Sequence, residues 1–172
     1  NKTSNTAYLD WQNKLTTQPL DVPQLVIYTA SSKDASATIV KRGDLDFDFV
    51  AESKTYCFFT SHENEAYYLT AFLNSDYPNS IIKDFQTRGL FGPRDIHKTI
   101  LDVALPKFDA SNKVHNTIAD LGRICHDNAS TYLSTEKPEA NLSAHALGRH
   151  RLAIRKLLAA ELGKIDTLFK SL

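Results

Sequence analysis

The sequence predicts an α+β fold: a small antiparallel or mixed sheet with short helices, followed by a C-terminal antiparallel helical hairpin. Three observations predict it. Residues 24–60 hold four short runs rich in β-branched and aromatic residues, broken by turns. Residues 60–85 change to helical spacing. Residues 113–172 carry two long amphipathic patterns on either side of a polar loop, STEKPEAN. The boundary is expected near residue 112, with an α+β unit over 1–112 and a helical hairpin over 113–172.

Each element rests on its own residues. Tyr8, Trp11 and Leu15 share a helical face, which predicts a helix over 5–18 before Pro19 and Pro23. QLVIYTA (24–30), SATIVK (36–41), LDFDFV (45–50) and KTYCFFT (54–60) read as strands. LDFDFV alternates strictly, with Leu45, Phe47 and Phe49 on one face and Asp46 and Asp48 on the other. Thr60 and Glu63 form a capping-box pattern ahead of Ala66, Leu69, Phe72 and Leu73. A second short helix begins near Asp76 and is expected to end at Gly89. ILDVALP (100–106) alternates and reads as one more strand, stopped by Pro106. Val114, Ile118, Leu121, Cys125 and Leu133 mark one long helix. Leu147, Ile154, Leu158, Ile165, Phe169 and Leu172 mark a second, expected to run unbroken over 142–172.

Bulk properties narrow the function. The chain has 172 residues, 42% of them hydrophobic, enough for a sizeable core. Twenty Lys and Arg balance twenty Asp and Glu, so a nucleic-acid surface would have to be a local patch. Cys57 and Cys125 each lie inside an apolar pattern and read as reduced, unpaired core thiols. No apolar run approaches the roughly 18 residues a membrane span needs, so no membrane partner is expected. The polar N-terminal stretch carries no secretory signal pattern, and a cytoplasmic location is expected.

Catalytic and metal-binding signatures are missing. The six histidines, at 62, 97, 115, 126, 145 and 150, show no metal-ligand spacing. There is no Gly-x-Ser-x-Gly elbow and no phosphate-binding Gly-x-x-x-x-Gly-Lys. A hydrolase built on His97 and Asp95 would need a nucleophile within about 3 Å, and none lies nearby in sequence. No catalytic, cofactor-binding or metal-binding residue is therefore assigned, and the chain is not expected to be an enzyme by itself.

The densest chemistry is GLFGPRDIHK, residues 89–98. Gly89 and Gly92 permit close backbone approach or positive φ. Phe91, Arg94, His97 and Lys98 crowd the same connection, and Lys83 and Arg88 precede it. Arginine can read guanine edges or clamp phosphates. A second cation cluster, Arg149, His150, Arg151, Arg155 and Lys156, reads as a solvated face of the hairpin.

EAYYLTAFLNSD (65–76), KDFQTRGLFGPRDIHK (83–98), ALPKFDASNKVHNTIADLGRICH (104–126) and LGRHRLAIRKLLAAELGKIDTLFKSL (147–172) occur in that order. In order and spacing they resemble the C-terminal part of TaqI-like and type IIG adenine-specific DNA methyltransferases of prokaryotic restriction-modification systems. The resemblance covers most of 24–172. It implies a target-recognition segment that reads double-stranded DNA. The candidate contacts are Arg88, Phe91, Arg94, His97 and Lys98, with Lys41, Arg42 and Lys54 from the sheet. The family's S-adenosylmethionine loop and its Pro-Pro-Tyr/Phe motif are not in this chain. The resemblance thus implies that cofactor binding and methyl transfer belong to an N-terminal methyltransferase domain outside it, the segment's expected partner. No cofactor is expected in the fragment. The alternative is a helical docking module with no direct DNA contact. DNA binding requires Arg88, Arg94 and Lys98 to share a surface with Lys41, Arg42 or Lys54, whereas docking requires an exposed apolar stripe on the last helix.

Overall fold

The computed structural model describes residues 4, 9–30, 32–52, 54–83, 86, 88–89, 92–93, 98–101, 105–136, 138 and 142–172. Among them, strands β1 (Gln24–Thr29), β2 (Ala37–Lys41) and β3 (Thr55–Thr60) form an antiparallel sheet in the order β2-β1-β3. Gln24 pairs with Lys41 on one side and Thr60 on the other; Tyr28 pairs with Ala37 and Tyr56. Helices α1 (Glu63–Asn74) and α2 (Asp76–Ile82) follow. Two-residue strands β4 (Arg88–Gly89) and β5 (Gly92–Pro93) pair antiparallel, Gly89 opposite Gly92. Helices α3 (Lys113–Glu136), α4 (Ala144–Leu157) and α5 (Ala159–Lys170) complete the chain. The fold is α+β, as the sequence predicts.

Helix α1 is the axis of the molecule. Every side chain from Ala66 to Leu73 is buried, so this helix has no solvent face over two turns. One side meets the sheet and the other meets α3, with α5 beside it. Tyr67, Tyr68, Phe72 and Leu73 are each at most 1% exposed. Burying a side chain of this size contributes about 1.5–3 kcal/mol. Gly122 lets α3 approach closely: a Cβ there would sit 2.6 Å from the Tyr67 carbonyl oxygen. Phe169 of α5 completes the cluster against Tyr68, Phe72 and Tyr77.

The C-terminal helices run antiparallel. His115 near the start of α3 and Phe169 near the end of α5 both pack on Tyr68. Tyr132 near the end of α3 meets His150 of α4. Asn112 starts α3 by accepting the Val114 and His115 N–H groups. Ser143 starts α4 by accepting from Ala146.

Several local expectations are corrected. LDFDFV is not a strand: residues 42–44 form a 3-10 turn and 45–50 are irregular, with Phe47 62% exposed. The expected helix over 5–18 is not found from Asp10 onward, where Trp11–Asn13 form a 3-10 turn, and residues 5–8 lie outside the described residues. Gln12 and Asn13 have positive φ, and the Asp10 carboxylate accepts from Leu15 N and Thr16 Oγ1. Of the strand expected over 100–106, residues 100–101 belong to a 3-10 turn, Lys98–Leu101, 105–106 are irregular, and 102–104 lie outside the described residues. Helix α2 ends at Ile82, and Gly89 lies in a strand. The last helix is two, broken where Leu158 takes φ −92°, ψ 3°.

Candidate nucleic-acid interface

The sheet separates the sequence-derived cations. Lys41 ends β2, paired with Gln24, and Arg42 follows it. Lys54 precedes β3, whose first residue, Thr55, pairs with Thr29. The six residues of β1 between these ends span roughly 20 Å.

At the first end the cations are committed to the protein. Arg42 donates from Nε to Val22 O at 3.0 Å, from Nη1 to Phe49 O at 2.6 Å and from Nη2 to Pro19 O at 3.1 Å. This guanidinium holds the irregular stretch before β1 to the irregular stretch at 45–50. Lys41 Nζ donates to Glu63 Oε1 at 2.7 Å, and Glu63 Oε2 accepts from Arg123 Nη1 at 3.2 Å. Both cations also lie over the buried Tyr67 ring, at 5.4 and 4.7 Å from its centroid. The hydrogen bond to Glu63 raises the Lys41 pKa above its ordinary value, and the same bond lowers that of Glu63. Glu63 thus links β2 to α3 rather than capping its own helix; Thr60 Oγ1 instead donates to Glu65 and accepts from His62 N.

The second end is organised around the turn at residues 30–36. Ala30 N donates to Lys54 O at 3.2 Å, and Ala35 N donates to Asn79 Oδ1 at 2.7 Å. Gln86 Nε2 donates to Lys33 O at 3.4 Å, which ties this turn to the segment leading into β4. Lys33, Lys54 and Lys83 are all exposed here; Lys83 has a long 3.9 Å pairing to Asp34. The Gly89–Gly92 pairing makes the connection a β-hairpin whose first strand begins two residues after Gln86. The backbones of Arg88 and Lys98 are described but not their side chains, while Phe91, Arg94 and His97 lie outside the described residues.

A cleft of about 390 Å³ opens beside the same turn. Its lining includes Thr29, Ser32 and Ser36 from the sheet side, Arg151 and Arg155 of α4, and Leu158 and Ile165. Two members of the second cation cluster, Arg151 and Arg155, therefore share a cleft with residues of the turn that carries Lys33. Sequence reasoning missed both Lys33 and this convergence. The only available signal was the SSKD turn composition, because a cleft shared by residues 32 and 151 is not encoded locally.

The docking requirement is not met by one stripe. Leu147, Leu152 and Leu157 are exposed on α4, but a spacing of five residues turns successive side chains about 140° apart around a helix. Among the described residues no helix is long and apolar enough to cross a membrane, and no three of His, Cys, Asp and Glu converge as metal ligands. No family model matches the chain, and neither a curated protein nor a solved structure matches it.

Proposed function

We propose that the chain is a DNA target-recognition segment of an adenine-specific methyltransferase of the TaqI-like or type IIG kind, acting in the prokaryotic cytoplasm. Methyl transfer, with its S-adenosylmethionine and its flipped adenine, belongs in this reading to a partner methyltransferase domain. The ordered motifs support the family. The observation that carries the DNA contact is the glycine-paired hairpin β4–β5, tied through Gln86 to the turn bearing Lys33.

In this reading Arg88 and Arg94 approach base edges, with Phe91 at the hairpin connection, while His97, Lys98, Lys54 and Lys33 meet phosphates. Lys41 and Arg42 drop out, since their donors already hold protein acceptors. A bidentate guanine contact is worth about 1–3 kcal/mol of discrimination. Selection from a randomised duplex pool with the purified chain tests this. Enrichment of one short sequence, lost in Arg94→Ala, is expected. A pool that stays random through repeated rounds overturns the recognition role.

A further inference from the structure

Helix α4 carries basic side chains on every side. Between Leu142 and Ala160 the chain has His145, Arg149, His150, Arg151, Arg155 and Lys156, and no Asp or Glu. These side chains divide among three directions. His150 Nδ1 meets Tyr132 Oη of α3 at 3.0 Å. Arg151 and Arg155 line the cleft, and Arg155 pairs with Asp76. His145, Arg149, Leu152 and Lys156 follow the i, i+4, i+7, i+11 spacing that builds one stripe, and all four are exposed.

Among the described residues no carboxylate pairs with Arg149 or Lys156. The Arg149 guanidinium meets the His145 ring, itself a basic group. An ordinary solvated face interleaves both signs, and this chain has equal numbers of each to draw on. Arg149 and Lys156 stand seven residues apart, about two turns, so both cations can face one line of anions. From His145 to Lys156 the stripe is roughly 16 Å long at helical rise. One DNA strand places a phosphate about every 3.4 Å along the axis, so several lie within that length. An acidic protein partner would be expected to engage aromatic anchors, and the stripe has none.

We propose that the outward face of α4 is a second contact surface for duplex DNA, gripping backbone phosphates through Arg149 and Lys156 without regard to sequence. This rests on the DNA-recognition reading for its partner but not on the hairpin. It assigns to the C-terminal helices a holding role while β4–β5 reads.

The test is the salt dependence of binding to a random-sequence duplex, read by fluorescence anisotropy, for the full chain and for the double variant Arg149→Gln, Lys156→Gln. Loss of two phosphate contacts should lower the slope of log K against log salt by about two units, and affinity at about 50 mM salt by at least tenfold. Because both side chains are exposed, the melting temperature should not move. An unchanged slope overturns the inference. So does equal displacement of duplex by polyglutamate or duplex competitor at matched charge, which would make α4 a surface for acidic polypeptides. Sequence enrichment with an unchanged slope removes the α4 surface alone. A lost slope without enrichment removes the recognition reading alone. No duplex binding by the unaltered chain at low salt removes both.

Discussion

The Asn74 side-chain amide closes a two-bond ring on the backbone of Ala37. Ala37 N donates to Asn74 Oδ1 at 3.0 Å, and Asn74 Nδ2 donates to Ala37 O at 2.9 Å. Strand β2 is an edge, and this amide imitates the next strand at one residue. It also fixes the end of α1 to the sheet. Asn74→Asp keeps the shape but faces Ala37 O with an acceptor. A loss of about 1–3 kcal/mol is expected in urea unfolding. A change within a few tenths of that scale would mean the ring contributes little.

Gly122 and Gly163 should respond oppositely to alanine. At Gly122 the new methyl would meet Tyr67 O at 2.6 Å and Ala71 Cβ at 3.2 Å, so α1 and α3 must part. Helix propensity gains about 1 kcal/mol from Gly→Ala, but forcing packed elements apart costs about 1–3 kcal/mol. At Gly163 nothing lies within 4 Å, so only the propensity gain remains. Denaturation midpoints should fall for Gly122→Ala and rise for Gly163→Ala. Equal shifts would contradict the close approach.

The fold class was legible because α1, α3 and α5 keep helical periods over many turns, and β1 to β3 are dense in β-branched and aromatic residues. LDFDFV failed for a non-local reason. Its alternation is that of a strand, but Arg42 holds Phe49 O and Gln18 holds both polar groups of Ala51, leaving the segment an irregular path. Trp11 failed because Asp10 stabilises a turn, an interaction that periodicity ignores. No glycine or proline marks the break at Leu158, whose N–H still reaches Ile154 O at 3.0 Å. The candidate site was half legible. Charge picked out the two cation clusters; only the structure shows Arg151 lining one cleft with Ser32 and Ser36, and Lys41 and Arg42 at the far end of the sheet.

Stability should fall on the alkaline side. Burial, with the nearby Glu161 charge, pushes the Cys125 thiol from 9.0 to about 11, and burial pushes the Tyr68 hydroxyl from 10.0 to about 12. As pH rises past 9 the unfolded thiol ionises first, so the unfolded state is favoured progressively until about pH 11. Tyr68 adds the same trend between 10 and about 12. Cys125→Ala should flatten the lower part of this limb. A stability profile level from pH 8 to 11 in the unaltered chain would refute the burial of the thiol. For the same reason Cys125 should react slowly with iodoacetamide at pH 8.

Arg42 separates structural cations from DNA-binding ones. Its three donors reach carbonyls of Pro19, Val22 and Phe49, which belong to segments with no regular secondary structure. Only a planar fork can serve three such acceptors, so Arg42→Lys leaves at least one of them without its donor. Hydrogen bonds from a charged donor are worth about 1.5–3 kcal/mol, and Arg42→Gln should lower stability on that scale. DNA affinity measured below the variant's melting temperature should keep its salt slope. Lys54 is exposed beside the 30–36 turn, so Lys54→Gln should do the reverse: unchanged melting and a slope reduced by about one unit. If Arg42→Gln instead lowers the slope while melting stays constant, its guanidinium leaves the carbonyls to hold a phosphate, and the division of the cations between the two ends of the sheet is wrong.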